Sequence, residues 1–85
     1  MKISEIRTLL NKGEKIFFEN NKDGFSNALR VITLLKGVVP NALNSSNSYF
    51  YIYNHNGSII LFKSLFSPKE GDLIIKSISY EDKEK

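Results

Sequence analysis

The chain has 85 residues, of which 41% are hydrophobic and 25% charged, so it can form one domain with one core but is too short for two. The absence of cysteine excludes a disulfide framework, and no apolar run reaches the roughly 20 residues that a membrane-spanning helix needs. The formal net charge of +3 comes from twelve basic residues that are spread along the chain without a dense cluster. Residues 1–12 lack the apolar region of a signal peptide. We therefore expect a soluble, cytoplasmic protein, with a single domain over residues 1–80 and a charged tail over 81–85.

Residues 3–12 have the pattern of a short amphipathic helix. Ser4 is a suitable N-cap, and an apolar stripe with the spacing i, i+3, i+4 begins at Ile6. Gly13 stands where helices commonly end in a left-handed residue. The sequence thus predicts a helix that stops before Gly13.

The segment after this helix can be interpreted in two ways. Lys15–Glu19 predicts a short strand, and Asn20–Gly24 is dense in turn-forming residues. From Ser26 to Gly37 the apolar spacing and the capping signals at both ends favour a second helix. The alternative is a strand over Leu29–Leu35, which is rich in β-branched residues but alternates poorly.

Residues 48–63 predict a β-hairpin. Three tyrosines alternate with Phe50 and Ile52, so the two sets lie on opposite faces of a strand. The pair Asn56-Gly57 tolerates the positive φ angles of a tight hairpin turn. This hairpin is the best-defined element in the sequence.

The remaining segments complete an expected α+β fold. Pro40–Ser48 is predicted to be a polar loop, and Leu65 and Phe66 are expected to tuck onto the core. Asp72–Tyr80 predicts a last strand. We expect a short N-terminal helix, a second helix, and a small antiparallel sheet built on a C-terminal three-stranded meander.

Few residues are arranged for catalysis or metal binding. His55 is the only histidine, and its place in the hairpin turn is most typical of a solvated residue. Nucleophilic catalysis would need a base beside a hydroxyl, and no group of His, Asp and Glu has the spacing of a metal site. Scattered glycines form no phosphate-binding loop. We expect no enzymatic activity and no cofactor.

The tyrosine stripe is the main candidate for a functional site. It could form one half-buried face of the sheet, or it could be a recognition surface, since tyrosine combines contact area with a hydroxyl group. Nearby cations could supply contacts to an anion. The candidate binding residues are Tyr49, Tyr51, Tyr53, Lys15, Arg30 and Lys63.

The layout resembles small phage-encoded anti-defence proteins, most nearly the Thoeris anti-defence 2 family. The shared features are a short helix over 3–10, a Lys-Gly-x-Lys turn at 12–15 before a strand, a hairpin over 51–60, and an acidic-led strand at 71–75. The chain departs from the family in having no tryptophan. The resemblance implies a non-catalytic oligomer that sequesters a nucleotide-derived immune signal.

Taken together, these features predict a small non-catalytic binding or inhibitor protein encoded by a phage or mobile element. Its partner would be a host protein or a nucleotide-like small molecule. Formation of homo-oligomers is compatible with this role. The alternative is a nucleic-acid-binding domain that uses the tyrosine face and the scattered lysines. Salt dependence separates the two, because affinity for nucleic acid falls steeply as salt rises.

Overall fold

In a computed structural model of the chain, residues 1–40, 48–76 and 78 are described, and two helices pack on a four-stranded sheet. This confirms the α+β class, with the strands concentrated in the C-terminal half. The elements are α1 (Ile3–Asn11), β1 (Ile16–Phe18), α2 (Lys22–Leu34), β2 (Tyr49–His55), β3 (Ser58–Ser64) and β4 (Leu73–Ile75).

The strands are ordered β3-β2-β1-β4, and the sheet is mixed. β2 pairs antiparallel with β3 through the hairpin and antiparallel with β1 on its other side. β4 pairs with β1 in parallel, with Phe17 opposite Ile74. The expected C-terminal meander is therefore wrong, since β1 lies between the hairpin and β4. The reason is that Ile16–Phe18 is buried at all three positions and takes strands on both of its edges.

The helix at the N-terminus begins one residue before the predicted cap. Its N-cap is Lys2, whose backbone N–H donates to Glu5 Oε1 at 2.8 Å, while Ser4 lies within the helix. Gly13 ends the helical segment with φ +92°, and its N–H donates to the carbonyl of Leu10. The predicted stop is confirmed.

The ambiguous segment is helical, but α2 starts four residues before the predicted Ser26. Asn21 caps it, because its Oδ1 accepts a hydrogen bond from the N–H of Gly24 at 2.7 Å. Part of the expected loop Asn20–Gly24 thus forms the first helical turn. At the other end the left-handed residue is Lys36, with φ 59°, and Gly37 follows it.

Both helices contribute to one core on one face of the sheet. Ile6 and Leu10 of α1 and Val31 and Ile32 of α2 are buried there. The Phe25 ring lies 4.8 Å from the Phe50 ring, between centroids. The sheet residues that join this core are Ile16, Phe18, Phe50, Ile52, Leu61 and Ile75.

Several predictions fall wholly or partly outside the described residues. The polar loop predicted for Pro40–Ser48 is one, since 41–47 are not described, and the tail at 81–85 is another. The predicted last strand, Asp72–Tyr80, is described through Lys76 and again at Ile78, and within it β4 covers Leu73–Ile75.

Candidate functional site

The hairpin places the tyrosines on the face of the sheet that the helices leave uncovered. A two-residue turn at Asn56 and Gly57, with φ angles of 51° and 87°, joins β2 and β3 as the sequence predicts. Phe50 and Ile52 point into the helix-covered core and are at most 1% exposed. The tyrosines at 49, 51 and 53 are half-buried on the opposite face, which we call the tyrosine face.

A row of aromatic rings crosses the tyrosine face. Phe17 of β1, Tyr51 of β2 and Phe62 of β3 stand opposite one another in the strand register. The Tyr51 ring lies 5.0 Å from the Phe17 ring and 5.2 Å from the Phe62 ring, between centroids. Aromatic pairs in such offset or tilted arrangements add about 0.5–1.5 kcal/mol beyond their buried area. Tyr51 is therefore a packed part of this face, and Phe17 is only 6% exposed.

The segment 65–72, which we call the crossing segment, connects the two edge strands of the sheet. β3 and β4 run in the same direction with β2 and β1 between them, so their connection must cross one face. The helices occupy the other face. Residues of the crossing segment line a pocket together with Tyr51 and Tyr53, so the chain crosses over the tyrosine face.

Side chain–backbone hydrogen bonds shape both ends of the crossing segment. Ser64 Oγ accepts from the N–H of Phe66 at 3.2 Å and lies 2.8 Å from the Phe66 carbonyl oxygen, to which it donates. Asp72 Oδ2 accepts from the N–H of Lys69 at 2.8 Å. Leu65 and Phe66 are 83% and 79% exposed, so the expectation that they tuck onto the core is wrong. The core is already closed by the helices on the far face.

The pocket between the crossing segment and the tyrosine face has a volume of about 560 Å³ and opens to solvent. Its aromatic walls come from Phe17, Tyr51, Tyr53 and Phe66, and two lysines and two carboxylates stand around them. The lining residues are Gly13, Glu14, Lys15, Phe17, Tyr51, Tyr53, Ser64, Phe66, Ser67, Lys69, Asp72 and Leu73.

Lys15 brings a cation directly to this aromatic surface. Its Nζ lies 5.0 Å from the centroid of the Tyr51 ring, within the range of a cation–π contact. Lys15 immediately precedes β1 and lies two residues before Phe17. Because side chains alternate between faces along a strand, Lys15 and Phe17 are on the same face of the sheet. The contact holds the ammonium group at the wall of the pocket.

The pocket unites three of the six predicted site residues, namely Lys15, Tyr51 and Tyr53. Tyr49 shares the tyrosine face but lies outside the pocket lining. Lys63 stands opposite Phe50 in the register and so is on the helix-covered face of the sheet. Arg30 is on the exposed side of α2, in the other layer of the fold.

The sequence reasoning missed Phe17, Phe66, Lys69 and Asp72 as pocket residues. Phe17 was predictable, because it is two residues from Lys15 and so shares its face of the strand. Once β1 is paired with β2, that face lies beside the tyrosines. The others lie on the crossing segment, whose path depends on the position of β4 in the sheet. No local sequence pattern in the crossing segment predicts that path.

Two further searches covered only the described residues. Among them, no group of three or more His, Cys, Asp or Glu side chains is placed to hold a metal ion. No helix over those residues combines the length and apolar character needed to cross a membrane.

Comparisons with protein-family models, with curated proteins and with solved structures gave no significant match to this chain.

Proposed function

We propose that this chain is a non-catalytic binding module whose pocket captures a small ligand with a flat ring and an anionic group, as in a nucleotide-derived molecule. The observation that carries the proposal is the presence of Lys15, Tyr51 and Tyr53 in one open pocket of about 560 Å³. Ligand pockets typically measure about 300–1,000 Å³ and combine apolar or aromatic walls with a few polar groups. The pocket matches this description in both respects.

Tyr53 is the ring best placed to stack on a ligand. Tyr51 already has Phe17 and Phe62 beside it, whereas Tyr53 takes part in none of the ring pairs formed among the described residues. Stacking of a base on an aromatic side chain is worth about 1–3 kcal/mol. Phe66, which is at the rim and largely exposed, offers a second ring to the same ligand.

The charges around the pocket favour a small ligand over a nucleic acid. Lys15 and Lys69 are balanced by Glu14 and Asp72, so these four lining residues have no net formal charge. Of the other cations predicted to contact a phosphate backbone, Lys63 lies on the opposite face of the sheet and Arg30 on α2. A nucleic-acid-binding surface typically gathers its cations along one face. We therefore place nucleic-acid binding second.

Capture of a ligand would give the chain an inhibitory role through sequestration, which is what its resemblance to phage-encoded anti-defence proteins implies. A host protein that inserts an aromatic or acidic side chain into the pocket would be the corresponding protein partner. Neither role requires a reaction at the site. Both depend on the same aromatic walls.

Titration with adenosine monophosphate, followed by calorimetry, tests the proposal. We expect binding that is weakened at least several-fold by Tyr53→Ala and unchanged by Tyr49→Ala, since Tyr49 is on the same strand face but outside the pocket. Ribose 5-phosphate should bind more weakly than the nucleotide, because it lacks the ring. Absence of nucleotide binding to the unmodified chain at millimolar concentration would contradict the proposal.

A fluorescent oligonucleotide separates the second function from the first. Nucleic-acid binding through several phosphate contacts should weaken steeply between low and physiological salt. Nucleotide binding in the pocket, which depends on ring stacking and on the ammonium group of Lys15, should weaken much less over the same range. Tight, salt-sensitive oligonucleotide binding combined with no detectable binding of adenosine monophosphate would favour the second function.

A further inference from the structure

The hairpin turn opposite the crossing segment carries reactive groups that ligand binding does not use. Of the nine asparagines in the chain, only Asn56 is followed by glycine. Asn56 and Gly57 are both exposed at the tip of the hairpin. A Cβ built on Gly57 would meet no atom within 4 Å, so the backbone beside Asn56 borders open space.

The nucleophile for a reaction at Asn56 is the backbone nitrogen of Gly57. Attack by this nitrogen on Cγ of the preceding asparagine closes a five-membered ring, and the missing side chain of glycine removes the main steric obstacle. The Gly57 N–H donates to Asn54 Oδ1 at 3.0 Å. This neutral amide oxygen only accepts a hydrogen bond, so the proton of Gly57 N must leave to hydroxide or water at the exposed turn.

His55 lies beside the leaving group. Its Nε2 is 3.4 Å from Nδ2 of Asn56, the amide nitrogen that would depart. That nitrogen must gain a proton to leave as ammonia, and a protonated imidazole ring is able to supply one. The turn therefore gathers an electrophile, a nucleophile and a proton donor within three consecutive residues.

We propose that Asn56 is a site of spontaneous deamidation, in which Gly57 N attacks Asn56 Cγ and His55 assists the departure of ammonia. The new N–Cγ bond forms as the Cγ–Nδ2 bond breaks, the proton of Gly57 N passes to hydroxide or water, and the departing nitrogen gains a proton from His55 and leaves as ammonia. Water then opens the cyclic imide at either carbonyl, giving aspartate or isoaspartate. The net reaction consumes one water and releases one ammonia, with no oxidant or reductant.

Deamidation would alter the element that fixes the hairpin. Either product adds a negative charge at position 56, and isoaspartate also lengthens the backbone of a two-residue turn by one carbon. Hairpin register depends on loop length and turn geometry. The change would therefore act on β2, which carries the tyrosine face.

The experiment is incubation of the intact, folded protein at near-neutral pH, where an imidazole is partly protonated, and 37 °C, followed by peptide mass analysis. We expect a mass gain of about one dalton that grows with time on the peptide containing Asn56, as amide NH₂ is replaced by OH. The other eight asparagines act as internal controls. Asn56→Gln, which keeps an amide but cannot close the same ring, should remove the mass gain.

A second variant tests the part assigned to His55. His55→Ala is expected to slow the reaction on the order of tenfold, below the 10²–10⁴-fold typical of an optimised general acid or base. Circular dichroism of each variant checks that the overall secondary structure is kept. A protein that stays unmodified at Asn56, or a His55→Ala variant that reacts at the original rate, would overturn the proposal.

Discussion

Lys15 Nζ lies 5.0 Å from the ring centroid of Tyr51, in the aromatic row of the tyrosine face. Of the three basic residues predicted as binding residues, Lys15 is the one on this face. The contact joins the connection between α1 and β1 to strand β2, since Lys15 is the last residue before β1 and Tyr51 lies within β2. It combines two roles. Because Lys15 is exposed, the cation–π contact stabilises the face by about 0.5–1 kcal/mol, and the ammonium group remains at the pocket wall for an anionic ligand.

Replacement of Lys15 by glutamine is expected to weaken nucleotide binding several-fold while lowering the free energy of unfolding by no more than about 1 kcal/mol. The reason is that the charge is lost while the polar side chain is kept. Calorimetric titration and urea denaturation provide the two measurements. Lys63→Gln is the matched control, because Lys63 is exposed on the other face of the sheet. Equal losses of affinity in both variants would assign the effect to overall charge.

The two faces of the sheet should differ sharply in their sensitivity to truncation. Ile52→Ala removes a fully buried side chain from the helix-covered core and should lower the free energy of unfolding by about 2–5 kcal/mol. Ile74→Ala makes the same chemical change on the opposite face, where Ile74 is 44% exposed, and should cost much less. Urea denaturation monitored by circular dichroism compares them. Equal costs would mean that the helices do not cover the face of Phe50 and Ile52.

Sequence patterns were sufficient for the elements with local signals and insufficient for their arrangement. Strict alternation and Asn56-Gly57 define the hairpin and correctly separate the tyrosines from Phe50 and Ile52. β1 and β4 have three residues each, too few for alternation to reveal which edges they share. The parallel pairing of β4 with β1, and with it the path of the crossing segment, depends on contacts far apart in sequence.

The start of α2 differs from the loop that the composition of this segment predicts, and an N-cap hydrogen bond from Gly24 N–H to Asn21 stabilises it. Asn20–Gly24 has the composition of a loop, yet Asn21 caps a helix that includes the last three of these residues. Glycine is needed at position 24, because the backbone packed against it leaves no room for a side chain. A Cβ on Gly24 would collide with the backbone carbonyl of Glu19. The glycine that looks like a turn signal is a packing requirement.

Gly24→Ala is accordingly expected to destabilise the protein by about 1–3 kcal/mol or more, the usual cost of overpacking, even though alanine is the better helix former. The carbonyl of Glu19 can move away only if the connection between β1 and α2 shifts. Thermal denaturation gives the measurement. Ser26→Ala, at an exposed position on the same helix, should be neutral or slightly stabilising. An increase in stability for Gly24→Ala would contradict this close approach.

Phe66 and Leu65 provide the most direct separation of binding from folding in this protein. Both are adjacent, large, apolar and about four-fifths exposed, so truncation of either to alanine should leave the free energy of unfolding nearly unchanged. Only Phe66 lines the pocket, where its ring can cover a ligand that stacks on Tyr53. We expect Phe66→Ala to weaken adenosine monophosphate binding several-fold, with an effect mainly on the dissociation rate, and Leu65→Ala to leave it unchanged. Calorimetry and stopped-flow kinetics measure both quantities. If Leu65→Ala weakened binding as much as Phe66→Ala, the ligand would contact the outer surface of the crossing segment and the pocket would not be its site.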